Sequence, residues 1–395
     1  MEYRISDKMV NMKPSAIREI FKSLGTPGAI SFAAGNPAPE SFPVADMSRI
    51  SAEIFANQAA QALQYSVTEG YPKLREQVRA RLWEKFGIGS ENDDLIIVTG
   101  GQQGIELSCK VLCNEGDTVI AENPSFIGAL NAFRSLGAKI KGVPLLSDGM
   151  DTEALEQTLH ENPDTKFIYV IPTFQNPAGL TTSLKKRQEI YRIAQKYDVL
   201  ILEDNPYGEL RFAGEDIPTI KKLDTDGRVL YCGSFSKVLS AGMRIGFLLG
   251  PKELIQKVVV AKQVEDVHTN IFFQMLCSRY MDECDMDAHV EEIRALYRKK
   301  AGFMLECLDR YMPDCVSYTR PEGGLFLWCT LPEQIDLMDF VRRAGENLVF
   351  VVPGTAFNCD ESAGSQSFRL NYSMPSMEEI EKGIRILGEL VKEMA

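Results

Sequence analysis

The sequence has 395 residues, 45% of them hydrophobic and 25% charged, as in globular proteins with about two domains and a large buried core. Its formal net charge of −12 argues against nucleic acid as the main partner, although it is compatible with a local positive pocket for a small anion. No segment approaches 18 uncharged apolar residues, so we expect no membrane span.

The chain begins with MEYRISDKMVNMKPS, whose scattered charges and lack of an apolar run do not resemble a secretory signal. We therefore expect a cytoplasmic protein. The nine cysteines include no C-x-x-C pair, and Cys109 and Cys113, one helical turn apart, lack the further ligands of a zinc site. We interpret the cysteines as reduced thiols and expect no metal.

Through the middle of the chain, short β-rich runs alternate with helical patterns. The predicted strands are LIIV (95–98), TVIAE (118–122), FIYVIP (167–172), VLILED (199–204), VLYCGS (229–234) and RIGFLLG (244–250). The helices between them include one beginning near Gly128 and one with Ser183 as its N-cap. This alternation predicts an α/β fold with a mainly parallel central sheet.

After about residue 275 the pattern changes to a long charged helix, a mixed segment with GGLFLWCTL, LVFVVPG and FRLNYS, and a last helix. We interpret this part as a smaller α+β domain. The predicted organisation is an N-terminal arm that forms part of the small domain (1–45), a large domain (46–275) and a small C-terminal domain (276–395).

Several residues, all of them polar or aromatic apart from one glycine, fall just past the end of a predicted strand. They are Gly101, Gln102, Phe126, Asn176, Asp204 and Lys237. Ligands of open α/β sheets bind at the carboxyl ends of the strands, so we expect a site at this edge.

Each of these motifs allows more than one interpretation. TGGQQG could expose backbone N–H groups to a phosphate or could be a tight strand-to-helix turn. Asp204 could cap a helix, bind a metal or pair with a protonated ring nitrogen, because a carboxylate is costly to bury alone. Asn176 lies in QNPAG, which is compatible with a plain turn. Arg244 could bind a phosphate or form an ordinary ion pair.

The segment SFSK raises the question of which of its residues does chemistry. As S-x-x-K it would make Ser234 an acylating nucleophile, but neither S-D-N nor K-T-G follows it. The three histidines, His160, His268 and His289, have no catalytic context. Lys237 is therefore the candidate for proton transfer and for a Schiff base to an aldehyde cofactor.

In order along the chain, TGGQQG, NPSF, QNPAG, DNPYGEL, SFSK followed by R-I-G, and FRLNYS resemble the pyridoxal-phosphate aminotransferases of fold type I. The similarity covers most of the chain, and the branch it resembles is the one that contains aminoadipate, kynurenine and aromatic aminotransferases. It implies a three-layer fold with a mainly parallel central sheet and a smaller α+β domain.

The resemblance also implies roles for individual residues. Lys237 would carry the cofactor and move the proton, Asp204 would pair with the ring nitrogen, and Tyr207 and Asn176 would bind the ring hydroxyl oxygen. Phe126 would stack on the ring, where most relatives have tyrosine. The phosphate ligands would be Gly101, Gln102, Ser234, Ser236 and Arg244.

For the substrate, the resemblance implies that Arg369 binds the α-carboxylate and that Gly35 lies at the mouth of the site. Arg18 matches a position that in some relatives meets a side-chain carboxylate, but it could equally be a solvated helix residue. Tyr65 would reach the phosphate of a neighbouring subunit, which makes the expected active unit a homodimer.

The resemblance predicts transfer of an amino group from an L-amino acid to a 2-oxo acid, with 2-oxoglutarate as the expected acceptor. The alternatives are a lyase or acyl-transferring synthase of the same fold, and a non-catalytic sensor with an aminotransferase-like domain. About 45 residues precede the core, too few for a winged helix beside the usual arm, and the chain is acidic. Both observations disfavour the sensor.

Overall fold

The structure is a computed structural model that describes residues 3–10 and 26–395. The helices of these residues are α1 (Asp7–Val10), α2 (Val44–Ala62), α3 (Pro72–Phe86), α4 (Gly101–Leu112), α5 (Ile127–Ser135), α6 (Thr152–Glu161), α7 (Leu184–Tyr197), α8 (Ile220–Leu223), α9 (Lys252–Glu265), α10 (Ile271–Glu283), α11 (Met286–Tyr311), α12 (Leu337–Glu346) and α13 (Met377–Met394). The strands are β1 (Ile30–Ser31), β2 (Asp93–Val98), β3 (Thr118–Asn123), β4 (Lys139–Leu146), β5 (Gly149–Met150), β6 (Thr165–Val170), β7 (Leu200–Asp204), β8 (Val229–Ser234), β9 (Gly246–Pro251), β10 (Ser317–Tyr318), β11 (Phe326–Thr330), β12 (Val349–Phe350), β13 (Val352–Pro353) and β14 (Ser367–Asn371).

The largest sheet has eight strands in the order β2-β9-β8-β7-β6-β3-β4-β5. The pairs β8–β7, β7–β6, β6–β3 and β3–β4 are parallel, whereas β9 runs antiparallel to both of its neighbours and β5 antiparallel to β4. Most residues of its central strands are buried, as expected when both faces of a sheet are covered. The prediction of a mainly parallel central sheet is confirmed.

This topology places the ends of several strands at one edge. The carboxyl ends of β2, β3, β6, β7 and β8 lie on the same side because these strands share a direction. The antiparallel β9 begins at that edge, two residues after Arg244. The predicted site residues are therefore brought together by strand direction rather than by sequence proximity.

A second, antiparallel sheet has the order β10-β11-β14-β13, and β1 pairs with β12 in parallel. The long helices α11 and α13 pack against each other. The pairing of β1 with β12 joins the N-terminal segment to the C-terminal part. The domain boundaries at residues 45 and 275 remain our proposal.

The helix ends follow local sequence signals. The Ser183 hydroxyl accepts a hydrogen bond from the backbone N–H of Lys186 (3.3 Å), which confirms the predicted N-cap of α7. Ser376 and Glu379 form a reciprocal capping box at the start of α13. None of the helices in the described ranges is both long and apolar enough to cross a membrane.

Candidate active site

A cleft of about 350 Å³ lies where the carboxyl ends of the parallel strands face the second sheet. It is lined by Gly35, Asn36, Gly101, Gln102, Ile105, Phe126, Ile171, Asn176, Asp204, Pro206, Tyr207, Ser234, Ser236, Lys237, Ala241, Arg244, Phe326 and Arg369. All the residues singled out from the sequence are in this set except Tyr65 and Arg18. Tyr65 is 82% exposed and does not line the cleft of its own chain. Arg18 lies outside the described residues.

Lys237 lies in the turn that follows β8 and points its amine into the cleft. Its Nζ donates a hydrogen bond to the carbonyl oxygen of Gly35 (2.7 Å), which crosses from the sheet edge to the N-terminal segment. Burial, together with the nearby positive charges of Arg244 and Arg369, lowers the pKa of the Lys237 amine to about 8. A substantial fraction of the amine is therefore neutral near physiological pH and able to act as a base.

Asp204 ends β7 at the floor of the cleft and is 4% exposed. The Tyr169 hydroxyl donates a hydrogen bond to its Oδ2 (2.7 Å). Burial raises the pKa of the Asp204 carboxyl to about 7, while the bond from Tyr169 opposes that rise. A cationic group in the cleft would favour the ionised form.

Arg369 on β14 forms the opposite wall and is almost fully buried. One terminal nitrogen of its guanidinium donates to Asn176 Oδ1 and the other to the carbonyl oxygen of Ala33, both at 2.7 Å. The guanidinium lies 4.2 Å from the ring centre of Phe326 and 5.0 Å from that of Phe357. Its buried Nε has no hydrogen-bond partner among the described residues, which leaves a donor for an anion.

A group of hydrogen-bond donors lies where β8 and β9 meet the start of α4. The Arg244 guanidinium donates to the hydroxyl of Ser236 (3.2 Å), and the Ser234 hydroxyl donates to the same oxygen (2.8 Å). Gly100 precedes α4 with a φ of 74°, and a Cβ there would collide with the Arg244 guanidinium. Because a glycine N-cap has no side chain, the first N–H groups of α4 stay available to an anion.

Two aromatic residues complete the cleft. Phe126 precedes α5 and is partly exposed to the cleft, and a Cβ at Gly128 would collide with its ring, so the Phe126 ring requires glycine there. Tyr207 is buried, and burial raises the pKa of its hydroxyl despite the nearby Arg369 and a hydrogen bond from Asn176. The Tyr207 hydroxyl is therefore neutral and able to donate a hydrogen bond.

Some site residues were not found from the sequence. Tyr169 was missed, although a tyrosine inside the apolar run FIYVIP needs a partner for its hydroxyl, which is a signal for a buried polar contact. Ala33, Phe326 and Phe357 were missed because a backbone carbonyl and two phenyl rings carry no signal of their own.

Together these groups can hold a flat cationic ring and a compact dianion. The buried carboxylate of Asp204 suits a ring N–H, the Arg244 end suits a phosphate, and Arg369 suits a carboxylate. The amine of Lys237 lies in the same cleft.

Comparison with known proteins gives a consistent result. The sequence model described as "Aminotransferase class I and II" matches residues 28–387. Aromatic-amino-acid aminotransferase 1 of Thermococcus litoralis is 40% identical over 396 residues, covering 99% of this chain and 95% of that protein.

Two solved structures are similar over nearly the whole chain. A multiple substrate aminotransferase of Thermococcus profundus superimposes with a TM-score of 0.94 at 38% identity, covering 99% of this chain and 98% of that one. An alpha-aminoadipate aminotransferase of Thermus thermophilus, complexed with N-(5'-phosphopyridoxyl)-L-leucine, has a TM-score of 0.90 at 38% identity, with 99% and 97% covered.

Proposed function

Because the chain belongs to the class I and II aminotransferases, and is a pyridoxal-phosphate-dependent transaminase of fold type I, we propose that the cleft around Lys237 is its active site. The fold, the enzyme class and the cofactor predicted from the sequence are confirmed by the family match and the relatives. The family match and the named aminotransferases support the transaminase over the lyase and the sensor. The roles of individual residues are our proposal.

The described residues fit the cofactor. Asp204 is a buried carboxylate with one hydrogen bond from Tyr169, and it faces the cleft where a ring N–H would neutralise it. Ser234, Ser236, Arg244, Gly101 and Gln102 would hold the phosphate. Tyr207 and Asn176 would bind the ring hydroxyl oxygen, and Phe126 would stack on the ring. When bound, pyridoxal phosphate supplies an aldehyde for the amino group and a ring that accepts the electrons left by the departing α-proton.

The observation that carries the proposal is the position of Lys237. Its amine, with a pKa of about 8, shares the cleft with a carboxylate site and an anion site. We propose that Nζ, once released from the carbonyl of Gly35, takes the α-proton of the substrate and returns it at a different atom.

Arg369 would bind the substrate α-carboxylate, with Nε as one of the donors and Asn176 holding the guanidinium in place. Because the Asn176 amide also lowers the pKa of the Tyr207 hydroxyl, the substrate and cofactor positions would be linked through one amide. Gly35 would lie at the mouth of the site, where its carbonyl accepts from Lys237.

We propose an amino donor with a large apolar or extended side chain, such as an aromatic amino acid or 2-aminoadipate, and 2-oxoglutarate as the acceptor. The support is the apolar part of the cleft wall, formed by Ile105, Phe126, Ile171 and Phe326, together with the names of the similar enzymes. A contact between Arg18 and a side-chain carboxylate remains a prediction from the sequence.

We further propose a homodimer in which Tyr65 reaches the phosphate in the site of the partner subunit. Dimerisation is typical of the family, and the high exposure of Tyr65 in a single chain supports a contact outside it. A cytoplasmic location remains our prediction from the sequence.

The test is the absorbance spectrum of the purified protein before and after addition of single amino acids. We expect a visible chromophore that is bleached by an amino donor and is absent from Lys237→Ala. Transamination by Lys237→Ala should fall by at least about 10³-fold, because the residue that moves the proton is lost. A colourless protein that cannot be reconstituted with pyridoxal phosphate would rule out the proposal.

A further inference from the structure

Lys262 on α9 is a fully buried lysine to which the proposed mechanism gives no role. Its amine donates to both carboxylate oxygens of Asp266, at 2.7 and 2.9 Å, and to Gln103 Oε1 at 2.6 Å. All three protons of the ammonium group are therefore used inside the protein. Neither Lys262 nor Asp266 lines the cleft.

The ion pair is connected to the turn between β2 and α4. Gln103 Oε1 also accepts from the backbone N–H of Thr99 (2.8 Å), and its Nε2 donates to Asp266 Oδ2 (2.8 Å). The Thr99 hydroxyl donates to the same Asp266 oxygen (3.0 Å). Lys262 and Asp266 thus fix both the side chain and the backbone of the turn from the side opposite the cleft.

This turn carries the anion-binding groups of the proposed site. The carbonyl oxygen of Thr99 accepts from the Arg244 guanidinium (3.4 Å), and Gly100 and Gly101 follow directly. Because the N-cap is Gly100, no N-cap side chain holds the first turn of α4. Gln103, at the third helical position, supplies the reverse contact to the residue before the cap.

We propose that Lys262 and Asp266 are positioning residues that hold the Thr99–Gln103 turn in the shape that receives the phosphate of the cofactor, an inference that rests on the proposed function. The Lys262 side chain is buried and that of Asp266 is partly exposed, and an ion pair in such a place often adds little to stability. We propose a geometric role instead: the side chains of Lys262 and Asp266 converge on Thr99 and Gln103 and set the direction of the N–H groups that follow.

The experiment compares two ligands of the cofactor-free full-length chain, pyridoxal phosphate and pyridoxal, which lacks the phosphate. Dissociation constants are measured by absorbance titration for the wild type and for Lys262→Met. The matched control is Lys257→Met, an exposed lysine on the same helix. The double variant Lys262→Met/Asp266→Asn removes both charges, so that no carboxylate is left without its lysine partner if the single variant does not fold.

We expect the affinity for pyridoxal phosphate to fall about tenfold or more in Lys262→Met and in the double variant, the size of one lost contact to a charged group. The affinity for pyridoxal should stay within about twofold of the wild type, since both variants leave the ring contacts intact. Lys257→Met should bind both ligands as the wild type does.

A purely structural role for the ion pair would lower the affinity for both ligands equally. An equal loss of affinity for the two ligands, or no loss for either, would overturn the inference. The wild type separates this result from a failure of the proposed function. If the wild type does not bind pyridoxal phosphate more tightly than pyridoxal, the phosphate site itself is wrongly placed and the inference falls with it.

Discussion

At the scale of single residues, Arg369 is buried and yet has a hydrogen-bond donor, Nε, without a partner among the described residues. Two of its nitrogens are held by Asn176 and Ala33, and two phenyl rings flank it, so the guanidinium cannot turn. Burial lowers the pKa of Arg369 to about 10, and the group remains charged at neutral pH. A fixed and desolvated cation with a free Nε is suited to a planar carboxylate.

Arg369→Lys should therefore impair substrate binding although the charge is kept. An ammonium group cannot hold Asn176, Ala33 and a carboxylate in one plane, so kcat/KM should fall about 10²-fold, mainly through KM. Steady-state kinetics with an aromatic amino acid would measure this. Arg320→Lys, at an exposed arginine on the surface, is the control. An unchanged KM would mean that the substrate carboxylate binds elsewhere.

The buried carboxyl of Asp204 makes the stability of the cofactor-free protein depend on pH. The folded chain keeps the Asp204 proton up to about pH 7, whereas an unfolded chain releases it near pH 4. Between these values the folded state binds more protons, so the free energy of unfolding should fall as pH rises from about 4 to 7 and then level off. Glu122, whose pKa burial also raises to about 7, adds to the same trend.

Urea unfolding of the cofactor-free protein at pH 5, 6, 7 and 8 would measure this dependence. Asp204→Asn should reduce the slope, because an amide does not titrate, by an amount on the order of 1 kcal/mol or more between pH 5 and 7. A slope identical to that of the wild type would show that Asp204 is already ionised in the folded, cofactor-free chain.

Most of the site residues were predictable because a polar side chain at the end of an apolar strand is unusual. Asp204 and Asn176 carry that signal in their own sequence, and Lys237 follows the strand VLYCGS. The bond from Tyr169 to Asp204 depends on the register of β6 against β7, in which Tyr169 pairs with Leu202. The register of two strands cannot be predicted from the sequence of either strand alone, so this contact could be found only in the structure.

At the scale of elements, a glycine in the turn before α4 makes room for a neighbouring side chain. Gly100 has a φ of 74°, which disfavours other residues, and its missing Cβ leaves room for Arg244. Arg244 itself has a φ of 54°, a conformation that costs an L-residue about 1–2 kcal/mol. The position of the Arg244 guanidinium at the anion end of the cleft therefore depends on glycine at position 100.

Gly100→Ala should lower both stability and cofactor affinity. The backbone cost is about 1 kcal/mol, and the added methyl group would displace the Arg244 guanidinium, so the affinity for pyridoxal phosphate should fall about tenfold or more. Gly116→Ala is the matched control, with a φ of 92° and open space around the added carbon. An equal affinity in both variants would mean that Arg244 does not bind the phosphate.

The central strands and the start of the helix capped by Ser183 were predicted close to their observed bounds, whereas the short strands were not. The predicted strand 199–204 is observed as Leu200–Asp204, and the helix capped by Ser183 begins at Leu184. By contrast, β1 and β12 have two residues each, too few for any periodicity. They form because distant segments meet, which depends on the tertiary fold.

At the scale of the whole molecule, the surface around Tyr65 is apolar for an exposed region. Leu63 and Val67, two residues to either side of Tyr65, are 74% and 52% exposed, and the ring of Tyr65 lies edge-on to that of His268 at 5.9 Å. Exposed apolar residues of this size are typical of a face that another chain covers. This supports the proposed dimer, in which Tyr65 acts across the interface.

Co-production of Tyr65→Ala and Lys237→Ala subunits would test whether Tyr65 of one subunit acts in the site of the other. At low cofactor concentration each variant alone should be nearly inactive. In a mixed dimer one site would have both residues intact, so random assembly should restore about a quarter of the wild-type activity. A mixture no more active than its components would place Tyr65 in its own site or in none.

The hydrogen bond between Arg369 and the carbonyl of Ala33 joins residues 336 positions apart. On the ribosome the segment with Ala33 emerges early, but β12 and β14, which hold it, are among the last elements made. The eight-stranded sheet, with Asp204 and Lys237 at its edge, is complete in sequence by residue 251. A growing chain would therefore be able to assemble most of the proposed cofactor pocket long before the proposed carboxylate site. If Arg369 binds the substrate as we propose, competence to bind the amino acid comes last in biosynthesis.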